Sequence, residues 1–193
     1  MIPLTPSFLI AAANTLIGLR EEGLNRGQMV ELFLRGVHRG AGQPWPAAFV
    51  HHVGYWSHFD HEARKSSWPL PATASCYVLA RDAKRLDVLR DEPQDGDVFL
   101  LWNVQRASFE HTGIVACVRR EGEKWGRGAW YDCDTIEAKR HVGVSTDGGV
   151  RRCVRRFYPK AGDRFIRWAD LDQRSLVDQP AQTCSGSPTS RVA

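Results

Sequence analysis

Gly42 to Val50 read GQPWPAAFV. A glycine turn leads through Pro44 and Trp45 to Pro46, and Ala47, Ala48, Phe49, Val50 and Val53 follow at helical density. Proline lacks the N–H that a first helical turn leaves unpaired anyway, and its fixed φ suits a helix start, so Pro46 is expected to open a helix. Working outward, Ser7 can cap a helix from Phe8 to about Leu19, with Leu9, Ala12, Ala13, Leu16 and Ile17 on one face. After the Gly23–Gly27 turn, a second helix is expected over about Gln28 to Val37, with Met29, Leu32, Phe33 and Val37 inward. Beyond the Pro-bounded loop from Lys65 to Pro71, Ser75 caps a further helix carrying Val78, Leu79 and Ala83.

In the second half the period changes. The turn Pro93–Asp97 feeds VFLLW, and further strands are predicted at Gly113–Val118, Tyr131–Glu137 and Val150–Phe157. Helices first and strands second predict an α+β fold, with N-terminal helices packed on an antiparallel β-sheet. The length of 193 residues and the 42% hydrophobic content fit a single domain over 1–177. Residues 178–193, rich in Gln, Ser, Pro and Thr, read as a disordered tail.

The net charge of +4 suits an anionic polymer such as a cell wall, although an ordinary solvated surface explains so small a charge more simply. Arg151, Arg152, Arg155 and Arg156 read as a solvated strand face. No nucleic-acid-binding fold accompanies them, so a nucleic-acid partner is not expected. Five cysteines (Cys76, Cys117, Cys133, Cys153, Cys184) without CxxC spacing argue against a disulfide framework and a structural zinc site. The apolar N-terminus has no preceding Lys or Arg and reads as a domain helix, which predicts a cytoplasmic protein, or a phage-associated or non-classically exported one. Nothing approaches a run of about 18 apolar residues, so no membrane association is expected.

Two features offer chemistry outside any motif. His51, His52, His58, Asp60 and His61 are proper metal ligands, but their spacing matches no established zinc pattern, and no metal or other cofactor is expected. Seven tryptophans should mostly be core. Trp125 and Trp130, flanking a Gly-Arg-Gly turn, are candidates to stack on a sugar or a partner, and Trp45 is expected to line a cleft and contact substrate.

The segments PWPAAFV (from Pro44), PQDGDVFLLW (from Pro93), HTGIV (from His111), TIE (from Thr135) and GGVRR (from Gly148), in this order, resemble the CHAP family of cysteine amidases and peptidases. That family belongs with the NlpC-type enzymes among the papain-like hydrolases. The resemblance covers roughly Leu9 to Phe157, and the Asn25-Arg26-Gly27 turn and the TASC segment before Tyr77 also look like this family. It implies a papain-like fold in which His111 is the base and Glu137 the carboxylate that orients it. In the family the frame PWCAAFV supplies the nucleophile and TIEGN a nearby Asn. Here Pro46 holds the nucleophile position, Lys139 the Asn position, and Ala138 replaces the preceding Gly. Proline has no nucleophilic atom and no backbone N–H to offer an oxyanion, so one residue removes two catalytic elements. A lysine close to Glu137 would compete with His111 for its carboxylate.

The resemblance therefore implies a pseudoenzyme that binds peptidoglycan or a protein partner through a remnant cleft. Two alternatives stay open. One is an active peptidoglycan amidase or endopeptidase using Cys76, Cys133 or a metal-bound water in the His cluster. Cys133 is disfavoured because four residues of strand separate it from Glu137 by roughly 13 Å. The other is a structural subunit of a phage particle or secretion apparatus.

Overall fold

The computed structural model describes residues 5–124, 128–139 and 148–171. The chain begins with helices α1 (Pro6–Thr15), α2 (Gln28–Gly36) and α3 (Pro46–Ser57). A small hairpin, β1 (Phe59–Asp60) with β2 (Lys65–Ser66), precedes α4 (Cys76–Arg85). The remaining strands are β3 (Leu89–Arg90), β4 (Val98–Asn103), β5 (Ser108–Lys124), β6 (Gly128–Lys139), β7 (Gly149–Phe157) and β8 (Arg164–Ile166). They form one antiparallel sheet in the order β3-β8-β4-β5-β6-β7. The fold is α+β, as the order of helical and alternating segments predicts. The expected tail at 178–193, Trp125, Cys184 and the side chain of Lys139 lie outside the described residues.

Local chemistry explains the helix ends. Pro46 opens α3 and Ser75 caps α4, its Oγ accepting from the Val78 N–H at 3.3 Å. α1 departs from expectation: Pro6 opens it, Ser7 lies inside it, and it stops at Thr15, leaving Ile17 exposed. α2 is rotated from the predicted face. Val30, Phe33, Leu34 and Val37 are buried, whereas Leu32 is exposed. The buried set also fits a helical stripe (i, i+3, i+4, i+7), and packing against α3 selects between two overlapping stripes.

The sheet has two apolar faces. Val98, Leu100, Ile114, Ala116, Ile136 and Ala138 join the helices in the main core. The alternate residues Phe99, Val115 and Cys133, with Tyr131, Phe157 and Phe165, form a second core. Phe157 on β7 and Phe165 on β8 have ring centroids 5.0 Å apart. Four strand spacings separate them in sheet order, roughly 19 Å if the sheet were flat. The sheet therefore curls around the second core, with the helices on its outer face.

One edge of the curl is partly covered. Gly18 donates to the Val150 carbonyl at 3.0 Å, and Val150 donates to that of Leu19 at 2.9 Å. Gly149 (φ +156°) sits so close that a Cβ there would lie 2.1 Å from the Leu19 oxygen. Farther along β7 the free edge carries Arg151, Arg152, Val154 and Arg156, all exposed.

Trp68 and Trp168 are packed together (4.9 Å) with His58 against both. α3 approaches Trp68 at Gly54, where a Cβ would meet the indole at 2.2 Å. Gly54→Ala gains helix propensity but overpacks this contact, and is expected to lower stability by about 1–3 kcal/mol in urea unfolding. A more stable variant would mean that the indole yields freely.

Candidate functional site

His111 and Glu137 meet on the inner face of the curled sheet. Gly113 on β5 pairs with Glu137 on β6, which places His111 two residues along on the same face, a diagonal neighbour. The His111 Nε2 lies 2.8 Å from Glu137 Oε2. Gly113 makes the approach possible: a Cβ there would sit 2.7 Å from the Ile136 carbonyl and 2.8 Å from the Phe99 ring. The glycine of HTGIV is thus a spacing requirement. Phe99 floors the site, its ring 5.9 Å from that of His111 and 5.7 Å from the Arg155 guanidinium.

Arg155 is the site residue that the sequence reading placed in solvent. From β7 its Nε donates to Glu137 Oε1 at 2.8 Å and its Nη2 to Oε2 at 2.5 Å. Thr135 donates to Oε1 at 2.6 Å. Strand parity held the signal: Cys153 and Arg155 share a face opposite the exposed Arg152, Val154 and Arg156, and pairing Thr135 with Cys153 turns that face toward Glu137. The cation beside Glu137 comes from β7, whereas the expected one, Lys139, has a side chain outside the described residues.

Four donors fill the acceptor sites of one fully buried carboxylate. Burial by itself would raise the Glu137 pKa; the hydrogen bonds from His111 and Arg155, the Arg155 charge and the Thr135 hydroxyl outweigh it and hold the group well below the usual carboxylate range. Glu137 is therefore ionised and accepts only. The His111 Nε2 must carry the proton in their shared bond, which leaves Nδ1 outside it.

His111 also borders a cleft of about 300 Å³ lined by Pro44, Pro46, Cys76, Arg106, Phe109 and Glu110 among others. The position expected for a nucleophile and the expected base thus share one cleft. A second hollow of about 460 Å³, along Leu101 to Gln105, shares Glu110 and His111, so open space continues past these two residues. Asn103 Nδ2 and Arg106 Nη1 both donate to Glu110 at this rim, at 2.7 and 2.9 Å.

Other expected participants are placed differently. Trp45, expected to contact substrate, is fully buried: it packs on Phe33 and Phe49 and its indole N–H donates to Glu21 at 2.5 Å. Its aromatic neighbours in α2 and α3 claim the ring, so it presents no surface to the cleft. Trp130 is half-buried beneath the Arg156 guanidinium, 4.1 Å from its ring. Cys133 is buried in the second core, and burial pushes its thiol up to about 12. Cys76 does line the cleft, but burial pushes its thiol up to about 12 as well, despite its place in the first turn of α4. The histidine cluster is dispersed. His58 is buried against Trp68 and Trp168, His61 packs on Phe59, and His51 and His52 line another groove. Among the described residues no group of three or more His, Cys, Asp or Glu side chains could hold a metal ion.

Among known proteins, no family model, no curated protein and no solved structure matches the chain. Among the described residues no helix is long and apolar enough to cross a membrane.

Removing Arg155 would leave a buried carboxylate with half its donors. Arg155→Ala is expected to cost about 3–5 kcal/mol in chemical denaturation, as for other broken buried ion pairs. A loss below about 1 kcal/mol would mean the contact behaves like a surface pair. The depressed Glu137 pKa stabilises the fold above the ordinary Glu value of about 4.5, and this contribution is lost as pH falls below it. Glu137→Gln should therefore be less stable than wild type at neutral pH, with the gap narrowing in unfolding titrations carried toward pH 3.

Proposed function

We propose that the chain is a catalytically degenerate relative of the papain-like CHAP amidases, a pseudoenzyme that binds peptidoglycan or another peptide-bearing polymer, or a protein partner, through the cleft beside His111. The observation that carries this reading is the His111–Glu137 bond at 2.8 Å beside a cleft in which Pro46 stands at the helix start. A thiol hydrolase needs a thiolate, a base, an orienting group for the base and donors for the oxyanion. The base and the orienting group are here; Pro46 supplies neither a nucleophile nor an N–H. Arg155 supports the same reading. In a working pair the carboxylate stabilises the imidazolium that forms beside the thiolate, whereas the Glu137 charge here is shared with a guanidinium.

The open space that continues past Glu110 and His111 suits an extended ligand, and the Asn103–Glu110–Arg106 rim offers polar groups to its backbone. A second reading, an active hydrolase, draws on one observation: Cys76 borders the same cleft as His111. Its buried, undissociated thiol weighs against it.

The test is a paired assay of wild type and Pro46→Cys on peptidoglycan suspensions, following pelleting with the insoluble wall and clearing of the suspension. The expected result is binding by both and clearing only by Pro46→Cys. Clearing by wild type that is abolished by thiol alkylation, or by Cys76→Ala, would replace the pseudoenzyme reading with the second one. Absence of binding and clearing by both would remove the wall as ligand and leave a protein partner.

A further inference from the structure

At the far end of α3 from Pro46, roughly 15 Å along the helix, a groove of about 350 Å³ opens between α2 and α3. Arg35, His38, His51, His52, Tyr55 and Trp56 line it, with no carboxylate among its lining residues. Trp56 is 54% exposed, an unusual position for the largest apolar side chain. Tyr55 stands edge-on to it, with ring centroids 5.4 Å apart. The guanidinium of Arg35 has no ion-pair partner among the described residues. The Nδ1 of His51 is buried and has no hydrogen-bond partner among them either.

These groups specify a ligand chemistry. Burial, then the neighbouring His38, lowers the His51 pKa; burial, then His51, brings that of His52 to about 4. Both rings are thus neutral near pH 7, each with one donor and one acceptor nitrogen. A hydroxyl group, donor and acceptor at once, matches such a ring. Trp56, exposed at the groove, offers apolar indole surface to the C–H groups of a pyranose, and a lone guanidinium matches a carboxylate or phosphate. We infer that the groove between α2 and α3 binds a monosaccharide unit carrying an anionic group, with Trp56 as platform, His52 as hydroxyl partner and Arg35 as anion partner. The inference does not depend on the cleft at His111.

Isothermal titration calorimetry on the full chain tests it with glucose phosphate and glucuronate, against glucose and inorganic phosphate. At least one charged sugar should bind saturably and about tenfold more tightly than glucose or phosphate alone. Preference for glucose phosphate would assign the anion as phosphate, and preference for glucuronate as carboxylate. Arg35→Ala should abolish the preference for the charged sugar, and Trp56→Ala should weaken every sugar. Both side chains are exposed, so folding is expected to persist, and circular dichroism checks it. The inference is overturned by no saturable binding of either charged sugar up to about 10 mM, by phosphate alone binding as well as the charged sugars, or by unchanged binding in both variants.

Discussion

The structure turns on one buried carboxylate. Taking an ion out of water costs several kcal/mol, and that cost is offset only if its lone pairs are met by donors in good geometry. Glu137 meets this condition with donors from three adjacent strands: His111 from β5, Thr135 from β6 itself, and Arg155 from β7. The register of these strands, the bare Cα of Gly113 and the Phe99 floor all serve that arrangement. The same bonds place a proton on the His111 Nε2.

This dependence separates the persistence of the site from the persistence of its chemistry. The His111–Glu137 geometry is held by the needs of a buried charge, and those needs are the same whether or not a nucleophile faces the imidazole. Proline at the start of α3 satisfies the helix equally well. On the proposed reading, an arrangement of base and carboxylate can thus outlast catalysis, because Arg155 makes the carboxylate a structural element of the sheet.

The large features were legible in the sequence for identifiable reasons. Pro46 and Ser75 are strong local start signals, and both helices begin there. The period change after Pro93 marks the passage to the sheet. Features decided by tertiary contact were less legible. The stripe of α2 had two phases, and packing on α3 chose the one with Val30 and Leu34 inside. β8 is three residues long and becomes a strand by pairing with β3 and β4. At the site, the strand positions of His111 and Glu137 were visible, but Arg155 looked like one of four solvated arginines until the register turned it inward. Trp45 was read from its neighbour in sequence, when its neighbours in space, Phe33 and Phe49, decide its place.

The edge of β7 has a consequence for the behaviour of the protein in solution. A sheet edge with unpaired amides is a template on which another chain can add a strand, the route to ribbon-like aggregates. Here the first part of that edge is occupied by the segment from Gly18 to Glu21, and the rest presents Arg151, Arg152 and Arg156. At the other end of the sheet, β3 offers only two residues. A partly occupied border on one side and brevity on the other oppose growth of the sheet from molecule to molecule.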